Sequence, residues 1–345
     1  MKVLYRNISP FRLLLILISP LFFLSCLNDP EPKEIEMSLS GNSMLLKYLE
    51  SKGDFINNIS GPMTFDAQIV NSGLNFFKII DLRSKEKYLN GHIPNSINVS
   101  KDSIFTFVKN NVPDSILVVL VSESGQLSGY LSSLFWLLGN YNIYSLDFGI
   151  AAWNHDFAAE VIDERNLISE SLDIKKTNQD YAKLNFQPLP EITLKNINDL
   201  QSSLEERIHI VANQTFLTEK IGAGSDNHYL VCYGNLNLYK AHAMEGPDAG
   251  EGHPIGAVHY KDALVYDLRS SNDLQTLPPD RKIVIYSFNG QLSAYVVAYL
   301  RVLGYDAYSL KYGASIFAHE RLLWGEYTKL YVFDESKINN FDYEK

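Results

Sequence analysis

Cysteine is nearly absent from this chain of 345 residues, which contains only Cys26 and Cys232. The disulfide framework that stabilises many small secreted domains needs several cysteine pairs, so it is excluded here. If Cys26 carries a lipid, Cys232 is the one free thiol of the mature chain. Because Cys232 lies within the apolar run YLVCYG, we expect its thiol to be buried and inert.

Positive charge is also scarce. The 30 lysines and arginines stand against 40 aspartates and glutamates, giving a formal net charge of -10, and basic residues do not cluster outside the N-terminus. Nucleic-acid binding requires such clusters, so we expect no nucleic-acid partner. Neither a cofactor nor a metal is predicted, because the candidate metal ligands of the second half have spacings that match no zinc pattern. These ligands are His228, Cys232, His242, His253 and His259.

The segment that ends at Cys26 differs in composition from the rest of the chain. Basic residues precede an apolar run at 13–24, which is short for a membrane span and typical of an export signal. The run leads into FLSC, which resembles a bacterial lipoprotein signal whose cysteine, here Cys26, is lipidated. We predict a signal peptide at 1–26 and a tether at 27–43; the alternative is an uncleaved anchor helix. Either interpretation places the protein in the cell envelope, periplasmic or surface-exposed, with its anchor in a membrane.

From Met44 onward, apolar runs alternate with helical segments, which predicts an α/β fold with parallel sheets. The order of strand, loop, helix and strand occurs twice. The distance along the chain from Ser122 to Ser287 differs by a single position from that between Gly149 and Gly313, which indicates a duplication. The predicted organisation is a first domain at 44–160, a polar connector at 161–200, a second domain at 201–335 and a C-terminal tail at 336–345.

Two loops of the form S-x-[SN]-G-Q-L-S each join a predicted strand to a predicted helix. Such a loop lies at the carboxyl edge of a parallel sheet, where α/β proteins bind ligands and where helix N–H groups are unpaired. Each loop could therefore hold an anion in a nest of backbone amides, or it could be only a turn with a helix N-cap. The loop residues are Ser122, Glu123, Ser124, Gly125, Gln126, Leu127 and Ser128, and Ser287, Phe288, Asn289, Gly290, Gln291, Leu292 and Ser293.

Several segments resemble a known family, the rhodanese-homology domains. In the first half these segments are IIDLRSKEKYLNGHIPNSINV and NIYSLDFGIAAW, and in the second half GHPIGAVHY and IVIYSFNGQLSAYVVAYLRVLGYDAYSLKYG. The resemblance implies a three-layer α/β/α fold in each half, with a central, mainly parallel sheet of about five strands. It also places His92 and His253 in a G-H-x-P turn, where a structural role is expected.

Catalytic members of this family open the loop with a cysteine that carries a persulfide sulfur. At that position this chain has Ser122 in the first half and Ser287 in the second, and Leu127 and Leu292 replace the usual basic residue of the loop. A serine hydroxyl ionises far above the range of a thiol and forms no stable sulfur carrier, so we predict no catalytic residue.

The predicted function is binding, sensing or scaffolding by a catalytically degenerate envelope lipoprotein, with a small oxyanion or an envelope protein as partner. One alternative is an enzyme with altered chemistry, in which Ser287 acts with a base from elsewhere in the fold. The other is oxyanion binding without turnover at the second loop. The second loop is favoured as the oxyanion site because Glu123 places a negative charge in the first loop, whereas Phe288 and Asn289 of the second loop are uncharged.

Overall fold

The computed structural model describes residues 40–53, 56, 63–221, 228–241, 252–260, 268–270 and 273–345. The predicted signal peptide, with the lipidation site Cys26, and the predicted tether as far as residue 39 lie outside these residues. The described residues belong to one compact unit. None of the helices in this part of the chain is long and apolar enough to cross a membrane.

The sheet of the first half contains five strands: β1 (Thr64–Phe65), β2 (Phe77–Asp81), β3 (Ile97–Asn98), β4 (Leu117–Val121) and β5 (Ile143–Leu146). All neighbouring strands are parallel, in the order β1-β5-β4-β2-β3. The central strand β4 has the sequence LVVLV and is buried after its first residue, as expected for a parallel strand covered on both faces.

The second half repeats this sheet with β7 (Leu217–Thr218), β8 (Tyr229–Cys232), β10 (Ala257–His259), β11 (Ile283–Tyr286) and β12 (Ala307–Leu310). Its parallel order, β7-β12-β11-β8-β10, is that of the first sheet strand for strand. Two further segments, β6 (Lys176–Thr177) and β9 (His253–Pro254), form a separate antiparallel pair. The predicted fold class, two α/β/α domains with five-stranded parallel sheets, is confirmed.

The helices of the described residues are α1 (Gly41–Ser51), α2 (Ala67–Ser72), α3 (Lys85–Asn90), α4 (Ile104–Asn111), α5 (Gln126–Leu138), α6 (His155–Ser171), α7 (Leu200–Ala212), α8 (Leu236–Tyr239), α9 (Gln291–Val302) and α10 (His319–Trp324). Two helix boundaries differ from the sequence analysis. Helix α1 begins inside the predicted tether, where Ser40 accepts a hydrogen bond from Ser43 N as its N-cap. Helix α6 continues into the predicted connector and ends there at Ser171.

The two halves share their hydrophobic core. Helices α5 and α9 pack against each other, and each of the two hydrophobic clusters contains residues from both halves. Tyrosine hydroxyls also cross the boundary: Tyr130 donates to Val211 O at 2.8 Å, and Tyr295 donates to Met63 O at 2.7 Å. Because both clusters span the two halves, we expect the halves to unfold in one transition.

Residues 338–345, here called the C-terminal strap, return from the second half to the first. His92 and Glu344 exchange backbone hydrogen bonds of 2.8 and 2.9 Å. Trp153 Nε1 donates to Asp342 O at 2.8 Å, and Phe341 N donates to Trp153 O at 2.9 Å. The strap therefore pairs with the carboxyl edge of the first half.

Candidate functional site

The first loop, Ser122–Ser128, joins β4 to α5, and the second loop, Ser287–Ser293, joins β11 to α9. Both lie at the carboxyl edge of their sheet. Gly125 and Gly290 adopt left-handed backbone conformations, with φ of +85° and +86°, immediately before their helices begin. These values favour glycine, because other residues are strained there.

The serine hydroxyls at the nucleophile positions cap their own helices. Ser122 Oγ accepts from Ser128 N at 3.2 Å, and Ser287 Oγ accepts from Ser293 N at 3.1 Å. The hydroxyl of Ser122 also contacts that of Ser128, and the hydroxyl of Ser287 contacts that of Ser293. Both Ser122 and Ser287 are only 1% exposed. Among the described residues, Ser287 Oγ has no hydrogen bond to a histidine, lysine or carboxylate. The arrangement lacks the neighbouring base that activates a serine.

Gln126, the first residue of α5, reaches from the first loop into the second half. Its Nε2 donates to Leu310 O at 3.1 Å and to Ser309 Oγ at 3.2 Å, and its Oε1 accepts from Tyr312 N at 2.8 Å. Tyr312 has a φ of +59°, which is uncommon for a residue with a side chain. Gln126 is 1% exposed. Its carboxamide therefore supplies hydrogen-bond partners to the backbone groups Leu310 O and Tyr312 N, at a place that water does not reach.

Gln291 makes the reciprocal contact, from the second loop into the first half. Its Nε2 donates to Ser145 Oγ at 2.9 Å and to Leu146 O at 3.1 Å, while Phe148 N donates to its Oε1 at 3.2 Å. Phe148, like its counterpart Tyr312, is left-handed, with a φ of +57°. The two glutamines thus hold equivalent turns in the opposite halves.

The exchanged glutamines also cover the loop glycines. A Cβ atom placed on Gly290 would lie 2.1 Å from Gln126 Nε2, and one placed on Gly125 would lie 2.9 Å from the carboxamide of Gln291. Both glycines are buried. The side of each glycine from which a side chain would project is therefore packed against the opposite glutamine.

A second glycine closes each loop from the side of the following strand. A Cβ atom on Gly149 would lie 2.3 Å from Ser122 O, and one on Gly313 would lie 2.2 Å from Ser287 O. Both distances are far below van der Waals contact, so only glycine fits. The backbone of each loop is held between this glycine and the opposite glutamine.

Beside the first loop is a cleft of about 160 Å³ that contains charges of both signs. Lys87 Nζ lies 3.2 Å from Glu123 Oε1 and 2.5 Å from Glu160 Oε1. Burial lowers the pKa of Lys87, but hydrogen bonds and charge interactions with the two glutamates outweigh it and raise the pKa overall. Tyr343 of the C-terminal strap lines the same cleft. The charges of Lys87 and the two glutamates are paired within the protein.

The corresponding cleft of the second half, between α8 and α10, is larger, at about 490 Å³. The described residues that line it include Lys240, Arg321, Trp324 and Tyr327, and none of them belongs to the second loop. Trp324 is 73% exposed, and the Arg321 guanidinium lies 5.5 Å from the centre of its ring.

His92 of the GHIP segment and His253 of the GHPI segment stack on tyrosines of the preceding helices. The ring centres are 3.9 Å apart for His92 and Tyr88 and 4.0 Å apart for His253 and Tyr239.

Cys232 is fully buried, as expected, and burial raises the pKa of its thiol to about 12. Across the described residues, no three His, Cys, Asp or Glu side chains are grouped to hold a metal ion. His242, one of the candidate ligands considered from the sequence, lies outside the described residues.

Both loops could be recognised from the sequence, but the role of their glutamines could not. The signal that could have shown it is the recurrence of Gln126 as Gln291, at the same spacing that relates Ser122 to Ser287. A polar residue with no reactive role that recurs at the same place in both copies suggests a structural contact.

The sequence of the first half matches a known family: residues 66–156 match the model of the rhodanese-like domain. A rhodanese-related protein from Thermoplasma volcanium is 18% identical, over 29% of this chain and 93% of that one, with a TM-score of 0.23. A 3-mercaptopyruvate sulfurtransferase from Leishmania major is 15% identical over 74% of each chain, with a TM-score of 0.28. A 3-mercaptopyruvate sulfotransferase from Escherichia coli is 13% identical over 72% of this chain and 96% of that one, with a TM-score of 0.27. By this match, residues 66–156 are similar to the rhodanese-like domain family.

Proposed function

We propose that this protein is a non-catalytic pair of rhodanese-like domains, anchored by a lipid at Cys26 in the cell envelope, that serves as a binding scaffold. The second half is included because it repeats the strand order and the loop of the first. The anchor is supported by the apolar run that precedes Cys26.

The observation that carries the proposal is the burial of both serine hydroxyls. A sulfur carrier must expose a nucleophile to a donor and then to an acceptor. Ser122 and Ser287 are instead buried and hydrogen-bonded to the first turns of their own helices. The exchanged glutamines bury the neighbouring glycines, so both loops serve the contact between the halves.

The two alternatives receive less support. An enzyme that uses Ser287 needs a base within hydrogen-bond reach, and the described residues bonded to its Oγ provide only an amide and a hydroxyl from Ser293. Oxyanion binding at the second loop needs open backbone amides, whereas the amides of Gln291 and Ser293 already donate to Asn289 Oδ1 and Ser287 Oγ.

Sulfur-transfer assays test the proposal. The purified chain should show no thiosulfate:cyanide turnover and form no cyanide-labile persulfide. Turnover that disappears in Ser122→Ala or Ser287→Ala would overturn the proposal. For the oxyanion alternative, sulfate should shift the melting temperatures of the wild type and of Asn289→Leu equally; a shift confined to the wild type would support an anion site at the second loop.

The anchor is tested separately. Radiolabelled palmitate should be incorporated into the wild type but not into Cys26→Ser, and the variant should leave the membrane fraction. Incorporation that persists in Cys26→Ser would contradict lipidation at this cysteine.

A further inference from the structure

An open groove lies between α4, the C-terminal end of α5, and α7, so it crosses the boundary between the halves. Its volume is about 440 Å³. The lining includes the buried rings of Phe105 and Phe135 and the partly buried side chain of Leu138. Glu205 and His209 of α7 stand along one side. The groove therefore combines an apolar floor with a polar rim.

The duplicated fold contains a second, equivalent groove. Helices α1 and α7 correspond: each precedes the first strand of its sheet, and their N-caps, Ser40 and Asp199, each accept from the N–H three residues later. Helix α9 corresponds to α5. The short helical turn Asp273–Thr276 takes the place of α4, between the third strand of the sheet and the strand that carries the loop. The second groove lies between α1, the end of α9 and this turn.

The connector fills this second groove. Gln187 N donates to Gln275 O at 2.6 Å, and Gln275 Nε2 donates back to Gln187 O at 3.1 Å. Further along, Asn42 Nδ2 of α1 donates to Pro190 O at 2.9 Å, and the same amide donates to Leu303 O at the end of α9. The connector is therefore bonded to the helical turn and to α1, and α1 is bonded in turn to the end of α9.

Apolar side chains of the connector enter the second groove at alternate positions. Ile192 and Leu194 pack against the hydrophobic core, whereas Glu191 and Thr193 are exposed. Pro190 is buried, and a Cβ atom on Gly304 would lie 2.5 Å from Ile192 Cγ2. This alternation is that of an extended chain with one face buried. The occupant is thus a proline-containing, aliphatic, extended segment.

The walls of the two grooves are similar at the positions that contact this segment. When α1 and α7 are aligned at their N-caps, Gln201 provides a carboxamide where the second groove has Asn42. Leu138 of the open groove corresponds to Leu303. The main difference is that Glu205 of the open groove replaces the buried Leu46.

We propose that the open groove binds an extended segment of a partner protein that contains proline and has aliphatic side chains at alternate positions. The segment would receive a hydrogen bond from one N–H of the Gln201 carboxamide, whose other N–H donates to Glu205 Oε1 at 3.0 Å. This inference rests on the proposed binding role and specifies the chemistry of its partner.

The test uses a fluorescein-labelled peptide with the sequence QPLPEITLKN, which copies residues 187–196. Anisotropy titration of the full chain should show saturable binding of this peptide and none of a scrambled version. Glu205→Leu, which restores the leucine of the second groove, should tighten binding several-fold. Glu206→Leu, on another face of α7, should leave it unchanged.

Two variants of the open groove should weaken peptide binding by about ten-fold or more, a loss of about 1.4 kcal/mol. Leu138→Glu places a carboxylate on the apolar floor. Thr106→Trp fills the groove from the exposed side of α4 without changing the core, so it remains informative if Leu138→Glu folds poorly. Undiminished binding by both variants would overturn the proposal.

Other outcomes also decide the question. Absence of saturable binding up to about 1 mM peptide would overturn the proposal. So would binding to a chain that begins at Ser40 but not to the full chain, because the groove would then be closed to partners in the intact protein. Competition between the peptide and self-association in sedimentation experiments would assign the groove to a second copy instead. Sulfur transfer by the same preparation refutes the proposed function, whereas an inactive preparation that binds no peptide refutes only this inference.

Discussion

Replacing Gln126 by leucine should lower the unfolding free energy by about 2–4 kcal/mol. Leucine has a similar size but can neither donate nor accept a hydrogen bond, so Tyr312 N and Leu310 O lose a partner in a site closed to water. Each buried backbone group left unsatisfied costs about 1–3 kcal/mol, and the added apolar surface offsets a part of this. Ser309 contributes less, because its hydroxyl still contacts Ser293 Oγ at 2.8 Å.

Urea denaturation, followed by tryptophan fluorescence and circular dichroism, measures this loss. In a thermal scan, the melting temperature should fall by roughly 3–6 °C, given an unfolding entropy of about 2.1 cal/mol/K per residue. Gln291→Leu should have a similar effect, since it removes the reciprocal contact. Gln68→Leu, on the exposed face of α2, is the matched control and should stay within about 0.5 kcal/mol of the wild type.

A Gln126→Leu variant that folds normally and whose unfolding free energy lies within about 0.5 kcal/mol of the wild type would refute this role of the glutamine. A large loss for Gln126→Leu but none for Gln291→Leu would also contradict it, because the two glutamines make the same set of contacts in opposite halves.

Three further predictions follow from the same structure. Gly149→Ala should cost more than about 3 kcal/mol or prevent folding, because its Cβ would meet Ser122 O at 2.3 Å; Gly256→Ala, also left-handed but facing open space, should cost only about 1–2 kcal/mol in the same urea titration. Burial, followed by the charge of Arg165, lowers the pKa of His319 from 6.5 to about 4. The folded state therefore resists protonation, and stability present above pH 6.5 should be lost progressively as the pH falls towards 4; His319→Gln should flatten this part of a plot of melting temperature against pH. Deleting the C-terminal strap should lower the melting temperature and shift the emission of Trp153 to longer wavelength, because its indole N–H loses Asp342 O; unchanged emission would mean that the strap does not cover this residue in solution.

The sheets could be predicted from the sequence because their strands are apolar runs separated by helical segments. The short apolar runs LVVLV in β4 and IVIY in β11 predict buried strands. The nearly constant spacing between the two copies implies that the same strand order occurs twice. Gly125 and Gly290 likewise mark the turn that begins each loop helix.

The extent of α6 could not be predicted, since its pattern is mostly polar. Of its 17 residues only Ala158, Val161, Arg165 and Ile168 are buried. This stripe is too narrow to stand out from a polar connector, especially with an arginine at one of its positions. Helical periodicity predicts a helix only where one face buries enough apolar side chains.

The contacts between the halves also could not be predicted, because they join residues far apart in the chain. Gln126 and Leu310 are separated by 184 residues, and no local pattern indicates that a carboxamide will satisfy a distant backbone turn. The same holds for Trp153 and the strap, 189 residues apart. The sequence shows the loops as strand-to-helix junctions, but their use as an interface depends on how the halves pack.

The reciprocal exchange of Gln126 and Gln291 has the form of an isologous dimer contact, in which the same patch on two subunits is self-complementary. Separate subunits would lose translational and rotational freedom on associating, at a cost of about 4–15 kcal/mol. A covalent link between them makes the association intramolecular and removes most of that cost. The two copies can then diverge without dissociating, as they have at Glu123 and Phe288 and along their grooves. A homodimer repeats each surface twice, whereas this fused pair presents two unlike ones.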